Sequence, residues 1–341
     1  MRPTVHDVAR AAGVSLATVD RVINGREGVR EATVLRVEAA ISKLGFVRNQ
    51  AAANLAKSRV YRLVFIIPEG ANSFMRRLEA ETAEAGRRMA ADGIDLHIVN
   101  VKAFDAQALA DALNGLDLAG LAGVALVATE APPVRQALAR LQQADVPVVT
   151  LVSDAPSFFR NRYVGIDNVA AGRTAASLIG RFLRGCSGKI ALVAGSMLVR
   201  DHVERRMGFD QVISSEYPNL QALPVVEGRD DRDATLSAVT ALLAREPDIV
   251  GLYNIGAGNL GLIEALSARS EAARPVVVAH ELSDHTRAAL ETGLFQAVIN
   301  QDAGHEARSA IRTLRSLADQ ATLIEAQEHI RIEIYLRDNL P

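Results

Sequence analysis

The sequence predicts a small all-α helix-turn-helix head joined to an α/β body of two doubly wound parallel-sheet lobes. Three observations carry this expectation. The first sixty residues contain three short runs of helical periodicity separated by cap and stop residues. After Arg59 the pattern changes to short apolar runs alternating with Ala-rich amphipathic segments. The chain has 341 residues, roughly twice the size of one compact domain.

In the head, Thr4-Val5-His6-Asp7 has the form of an acidic capping box: the Thr4 hydroxyl can accept a backbone N–H, and Asp7 suits the positive end of a helix. A first helix is expected there, carrying Val5, Val8, Ala9 and Ala12 until Gly13 breaks it. Ser15 can cap a second helix with Thr18, Val19, Val22 and Ile23, stopped by Asn24-Gly25. A third helix from about Glu31 to Leu44 groups Val34, Val37, Ile41 and Leu44, and Gly45 follows as its stop.

Composition excludes several function classes. Hydrophobic residues make up 49% and charged residues 23%, which suits large buried cores and rules out wholesale disorder. A single cysteine, Cys186, permits no intrachain disulfide and no thiolate metal cluster, which fits a reducing cytoplasm. A charged N-terminus and no apolar run near 18 residues argue against export and membrane spanning. The net charge of -2 conceals an asymmetry: residues 1–59 hold ten Lys or Arg against five Asp or Glu, so a +5 head precedes a -7 body. A nucleic-acid contact confined to the head follows from that split.

The unbroken run Thr4-Val5-His6-Asp7-Val8-Ala9-Arg10-Ala11-Ala12-Gly13-Val14-Ser15-Leu16-Ala17-Thr18-Val19-Asp20-Arg21-Val22-Ile23-Asn24-Gly25 resembles the DNA-binding head of LacI-type bacterial transcriptional regulators. Val37-Glu38-Ala39-Ala40-Ile41 and Leu44-Gly45-Phe46-Val47-Arg48-Asn49 continue the likeness. The resemblance implies a DNA-binding domain over residues 1–48 and a hinge helix or linker over 49–60. In relatives that hinge folds on DNA and pairs with its twin in the minor groove, and Leu55 falls where the family places a leucine wedge. The DNA contacts implied are Thr4, Ser15, Leu16, Ala17, Thr18, Asp20, Arg21, Asn24, Asn49, Ala52 and Leu55. Leu16 and Ala17 suit thymine methyls, whereas Thr18 and Arg21 suit phosphate or base edges. Asp20 departs from the serine common there; its carboxylate is repelled by phosphate unless it accepts from cytosine N4 or pairs with Arg21.

In the body, residues 61–67, 96–101, 124–128, 146–151, 163–166, 189–194, 249–253, 275–279 and 296–299 read as short buried strands, and 330–336 as a last strand-like run. Ligands of such sheets bind beyond the carboxyl ends of the strands. The family likeness implies the type I periplasmic-binding-protein fold, with two lobes, three crossovers and a cleft that closes on a small molecule. On that pattern residues 61–341 form the effector-binding and dimerisation domain. Its first lobe spans about 62–163 plus 296–325, and its second about 164–295 plus the C-terminal strand.

Asn72-Ser73-Phe74 resembles the Asn-x-Phe of sugar-binding relatives, in which Asn reaches a hydroxyl and the aromatic covers a ring face. Ser153 and Asp154 follow the fourth strand, and Arg205 resembles the family's cleft arginine. Asn254, Glu281 and Gln301 stand after three later strands where relatives meet the effector. This set suits a sugar, polyol or sugar derivative, with arginines that leave an anionic ligand open.

Two motifs point elsewhere. Gly256-Ala257-Gly258-Asn259-Leu260-Gly261 matches G-x-G-x-x-G and has Glu281 about 20 residues on, which raises an NAD-dependent oxidoreductase as a rival. Its position, far from the first strand-to-helix turn, argues against it. His280-Glu281-Leu282-Ser283-Asp284-His285 has its histidines five apart, wrong for two zinc ligands on one helical face. The reading is therefore a cytoplasmic regulator, not an enzyme, with no cofactor and no metal. Its expected partners are a double-stranded DNA operator, a small-molecule effector and a second copy of the chain. The tail after residue 336 shows no heptads, so a homodimer rather than a tetramer is expected.

Overall fold

The computed structural model describes residues 3–23, 27–46 and 59–341. The chain divides into two compact units, Met1–Arg59 and Val60–Pro341.

The first unit holds α1 (Val5–Ala12), α2 (Leu16–Ile23) and α3 (Glu31–Leu44). Thr4 Oγ1 accepts from the Asp7 amide at 3.4 Å, and Asp7 Oδ2 accepts from the Thr4 amide at 2.9 Å, so the capping box closes in both directions. Gly13 and Gly45 end α1 and α3 with φ of 65° and 60°, the left-handed geometry that glycine adopts without steric cost. Ser15 Oγ accepts from the Thr18 amide at 3.2 Å and starts α2. Val8, Ala9, Ala12, Val19, Val37 and Ala40 form the small core that holds the three helices together.

The second unit contains two sheets. The first comprises β1 (Tyr61–Glu69), β2 (Ile94–Lys102), β3 (Leu121–Leu126), β4 (Val148–Leu151) and β5 (Arg162–Val164), ordered β2-β1-β3-β4-β5 and parallel throughout. Its helices are α4 (Ser73–Met89), α5 (Ala106–Asn114) and α6 (Pro132–Gln143). The second sheet comprises β6 (Gly188–Ala194), β7 (Leu220–Glu227), β8 (Ile249–Asn254), β9 (Val276–His280), β10 (Ala297–Asn300) and β11 (Glu333–Tyr335), ordered β11-β10-β9-β8-β6-β7. Its helices are α7 (Asn168–Phe182), α8 (Arg200–Glu216), α9 (Arg232–Arg245), α10 (Asn259–Ser267) and α11 (Asp284–Glu291), and they are followed by α12 (Ala303–Asp319) and α13 (Glu325–Glu328). Side chains of Asn72, Asp105, Asp167, Asp231, Ser283 and Asp302 cap α4, α5, α7, α9, α11 and α12, which is why each loop turns into helix where it does.

Three features differ from the sequence expectation. β10 does not return to the first lobe. It pairs with β9 through Ala297↔Val278 and with β11 through Val298↔Tyr335, so the chain re-enters the first lobe only at α12, which packs on β3, β4 and β5. An apolar run of four residues reveals a buried strand but not the sheet it joins. The second sheet is mixed, because β11 runs antiparallel to β10. β7 was not anticipated: it is an edge strand in which only Leu220 and Leu223 are buried, with a proline at 224, and a register shift lies in its pairing with β6. Between lobes the chain passes three times, after β5, after β10 and after α12.

The second lobe owes its inner shape to two glycines. An added Cβ on Gly172 of α7 would lie 1.9 Å from the Arg205 carbonyl oxygen, and one on Gly208 of α8 would lie 2.0 Å from that of Val169. The two backbones touch, and this fixes the rotation of α8 and thus the direction in which its first turns point.

Candidate functional site

In the head, Val19 faces the core, while Leu16, Ala17, Asp20 and Arg21 are exposed on α2, Ser15 is exposed just before it and Thr18 is half-buried. Thr4 is exposed, but its hydroxyl serves the cap of α1. Leu16 is 42% accessible and stands outside the core formed by the described residues of this unit. Asn24, Asn49, Ala52 and Leu55 lie outside the described residues.

The body contains a cleft between the two sheets, with about 650 Å³ of free space including its mouth. The walls gather at the carboxyl ends of strands, from the loops that follow them and the first turns of α4 and α8. Asn72 and Phe74 follow β1, Phe104 follows β2, Thr129 follows β3, and Val152 and Ser153 follow β4. Opposite them stand Asp201, His202 and Arg205 on α8, Asp230 after β7, Gly256 and Ala257 after β8, Glu281 after β9 and Gln301 after β10. Four non-glycine residues with left-handed backbone line this cavity: Phe104 (φ 58°), Val152 (φ 60°), Asp230 (φ 55°) and Glu281 (φ 72°). Such conformations cost about 1–3 kcal/mol each and tend to gather where a ligand is held.

Arg205 is 2% exposed. Its Nε donates to Asn168 Oδ1 at 2.9 Å, its Nη1 donates to the Ile255 carbonyl at 2.9 Å, and Nη2 has no partner among the described residues. Burial opposes its charge, but Asp201, Tyr253 and Glu281 outweigh that and hold the guanidinium above its ordinary range. Glu281 accepts from Gln301 Nε2 at 2.8 Å through Oε1, and its Oε2 is unpartnered among the described residues. Burial pushes the Glu281 carboxyl up to about 7, against the opposing pull of Arg205. Asp201 Oδ1 and Gln301 Oε1 are also buried without partners among the described residues. Orphaned polar atoms at this density are costly unless a ligand or water meets them.

Six of the expected effector residues line the cavity: Asn72, Phe74, Ser153, Arg205, Glu281 and Gln301. Asn72 is already engaged at both ends of its amide. Its Oδ1 accepts from the Phe74 and Met75 amides at 3.0 and 3.1 Å, and its Nδ2 donates to Asp230 Oδ2 at 2.7 Å. Ser153 Oγ accepts from the Arg200 amide at 3.2 Å. Two expected residues are not in the wall. Asp154 accepts from Thr150 Oγ1, the Ala155 amide and Arg160, which saturate its carboxylate. Asn254 donates to Asn259 Oδ1 at 2.8 Å and to the Ala257 carbonyl at 3.1 Å, bracing the loop behind the cleft.

The sequence reading missed Phe104, Asp201, His202 and Asp230. Asp201 and Arg205 are four residues apart on one helix, a spacing that places both on the same face and was legible. Asp230 was hidden because its strand, β7, was not recognised.

The glycine motif has a structural explanation. Gly256 leaves room for the Asp230 carboxylate and the His202 ring, with an added Cβ 2.9 Å from each; Gly258 has φ 82°; and Gly261 sits against the Arg232 carbonyl of α9, with an added Cβ 2.0 Å away. Asp230 Oδ1 takes the Ala257 amide at 2.9 Å, so a carboxylate occupies the loop where a dinucleotide phosphate would have to lie. His280 is fully buried with Nε2 2.8 Å from the Tyr253 hydroxyl, and burial depresses its protonation; His285 is exposed on α11. Among the described residues no group of three or more His, Cys, Asp or Glu is placed to hold a metal, and no helix is long and apolar enough to cross a membrane.

Comparison with known proteins accounts for both units. The model for the periplasmic binding protein domain matches residues 63–322, and that for bacterial regulatory proteins of the lacI family matches residues 4–49. The HTH-type transcriptional regulator CelR of Thermobifida fusca is 29% identical over 264 residues, covering 74% of this chain and 73% of that protein. The maltose regulon regulatory protein MalI of Escherichia coli K12 is 29% identical over 253 residues, covering 74% and 71%. Among solved structures, the glucose-galactose binding protein GanP of Geobacillus stearothermophilus superposes with a TM-score of 0.73 at 18% identity, covering 83% of this chain and 99% of that one. A solute binding protein of Burkholderia graminis C4D1M in complex with D-arabinose gives 0.73 at 21%, covering 83% and 97%. The chain belongs to the LacI family of transcriptional regulators, with a helix-turn-helix DNA-binding segment followed by a periplasmic-binding-protein-like sensor domain.

Proposed function

We propose that the chain is a repressor that binds a pseudo-palindromic operator as a homodimer and is controlled by a hydroxyl-rich small molecule held in the cleft. The observation that carries this reading is the cleft itself: buried, unpartnered polar atoms on Asp201, Arg205, Glu281 and Gln301 converge on one cavity between two lobes. Hydroxyl groups both donate and accept, so a polyol can satisfy this mixed set. Structural neighbours whose names record glucose-galactose or D-arabinose as ligands support the same class.

Leu16, Ala17, Thr18, Asp20 and Arg21 are the proposed groove contacts, assisted by Thr4, Ser15, Asn24 and Asn49, with Ala52 and Leu55 in a hinge over residues 49–60. Two half-sites call for two heads, hence a dimer formed through residues 61–341 in the cytoplasm. Ligand binding changes lobe closure, and only its differential affinity for the two closures can alter DNA binding; about 1–3 kcal/mol of coupling is typical.

The test is a thermal-shift screen of sugars, polyols and sugar derivatives, followed by operator binding with and without each hit. A stabilising ligand that changes operator affinity supports the reading. A ligand that stabilises the protein and leaves DNA binding untouched removes the regulatory part. Leu55→Ala should weaken specific more than nonspecific binding, and equal losses in both would remove the wedge assignment.

A further inference from the structure

The charge of the cleft is lopsided. Among the described residues three acids, Asp201, Asp230 and Glu281, line it against one guanidinium, that of Arg205, and Glu281 carries its charge once the pH rises above about 7. Glu69 adds a further acid to the wall. The unpartnered atoms show the same bias: among the described residues of the wall, carboxylate or amide oxygens on Asp201, Glu281 and Gln301 stand beside one unpartnered donor, Nη2 of Arg205.

The neighbouring arginines do not redress this balance. Arg76 donates to the Gly70 and Ala71 carbonyls, Arg160 pairs with Asp154, and Arg200 pairs with Glu204. Arg77 and Arg287 line an adjoining cavity on the other side of Phe74, Glu281 and Gln301, and neither contributes to the cleft wall. An anion entering the cleft would meet one cation that is already balanced by buried acids. In a site of low dielectric such an unmatched like charge is strongly disfavoured.

We propose, resting on the polyol reading above, that the cleft selects by charge: it takes polyhydroxylated ligands that are uncharged or carry an ammonium, and rejects their phosphate esters and carboxylic acids. Hydroxyl or ammonium donors meet the orphaned oxygens of Asp201, Glu281 and Gln301, and one ligand oxygen meets Arg205.

The experiment is calorimetry and thermal shift on the full chain at pH 8, where Glu281 is ionised, with a panel of monosaccharides, disaccharides, alditols and inositol. Each skeleton is tested beside its amino, phosphate and uronic or aldonic acid forms. For any skeleton that binds, the neutral or amino form should bind at least about 100-fold more tightly than the anionic form. The double substitution Asp201→Asn with Glu281→Gln should shrink that ratio by about tenfold or more, since it removes the charges that reject the anion. An anionic form that binds as tightly as its neutral parent overturns the charge rule and leaves the polyol reading standing. If no member of the panel binds, the polyol reading fails and the charge rule falls with it.

Discussion

Asn72 Nδ2 donates to Asp230 Oδ2 at 2.7 Å, tying the loop after β1 in the first lobe to the loop after β7 in the second. The bond crosses the mouth of the cleft between residues 158 positions apart. A hydrogen bond to a carboxylate contributes about 1.5–3 kcal/mol when well shielded, and this half-buried one belongs at the lower end. Asn72→Asp keeps an oxygen to cap α4 and sets a second carboxylate against Asp230. The substituted protein should show a longer and broader separation of spin labels placed one on each lobe. An unchanged distance distribution would show that the bond does not hold the lobes together.

The contact between α7 and α8 gives a second prediction. Gly208→Ala drives a methyl group to 2.0 Å from the Val169 carbonyl oxygen, so the helices must separate. A loss of about 2 kcal/mol or more in urea unfolding is expected, together with weaker ligand binding, because Asp201 and Arg205 ride on α8. Full retention of both stability and affinity would contradict the close approach.

Glu281 makes stability depend on pH in a defined direction. Its carboxyl is raised from 4.5 to about 7 by burial, opposed by Arg205, Gln301 and Arg77 and reinforced by Asp201, with Glu306 also nearby. The folded state therefore holds this proton more tightly than the unfolded chain does. The resulting stabilisation is complete below about pH 4.5 and is lost as pH rises through about 7. His280, depressed by burial, acts in the opposite sense below its usual range, so the informative quantity is the difference between the wild type and Glu281→Gln. That difference should fall across the window by up to about 3 kcal/mol. Urea midpoints measured from pH 5 to 8 provide the check, and a flat difference would show that Glu281 ionises normally.

The head offers a local prediction. Thr4→Ala removes the hydroxyl that caps α1 and costs about 1 kcal/mol of head stability. Faster hydrogen exchange of α1 amides, with the amides of β1 and β3 unaffected, is the expected signature. Unaltered exchange in α1 would mean that the Asp7 side of the box suffices.

Arg21→Ala tests the outward face of α2. If the guanidinium meets phosphate, DNA affinity should fall and the slope of log affinity against log salt should flatten by about one unit. A lost preference for one base position at unchanged slope would instead make it a base reader.

The helices of the head and most strands of the body were legible because they rest on local patterns. Thr4 with Asp7, Ser15, Gly13 and Gly45 act on the backbone within a few residues, and buried parallel strands appear as apolar runs wherever they pair. The walls of the cleft were partly legible for the same reason, since residues that follow strands are delivered to one edge of the sheet. The tertiary structure alone decided that β10 joins the second sheet, that Asp154 is saturated by Arg160, and that Asp230 fills the glycine loop and holds Asn72. Those outcomes depend on register and on loops brought together from distant parts of the chain. A side chain's type announces that it needs a partner, but the packing of the lobes determines which partner it finds.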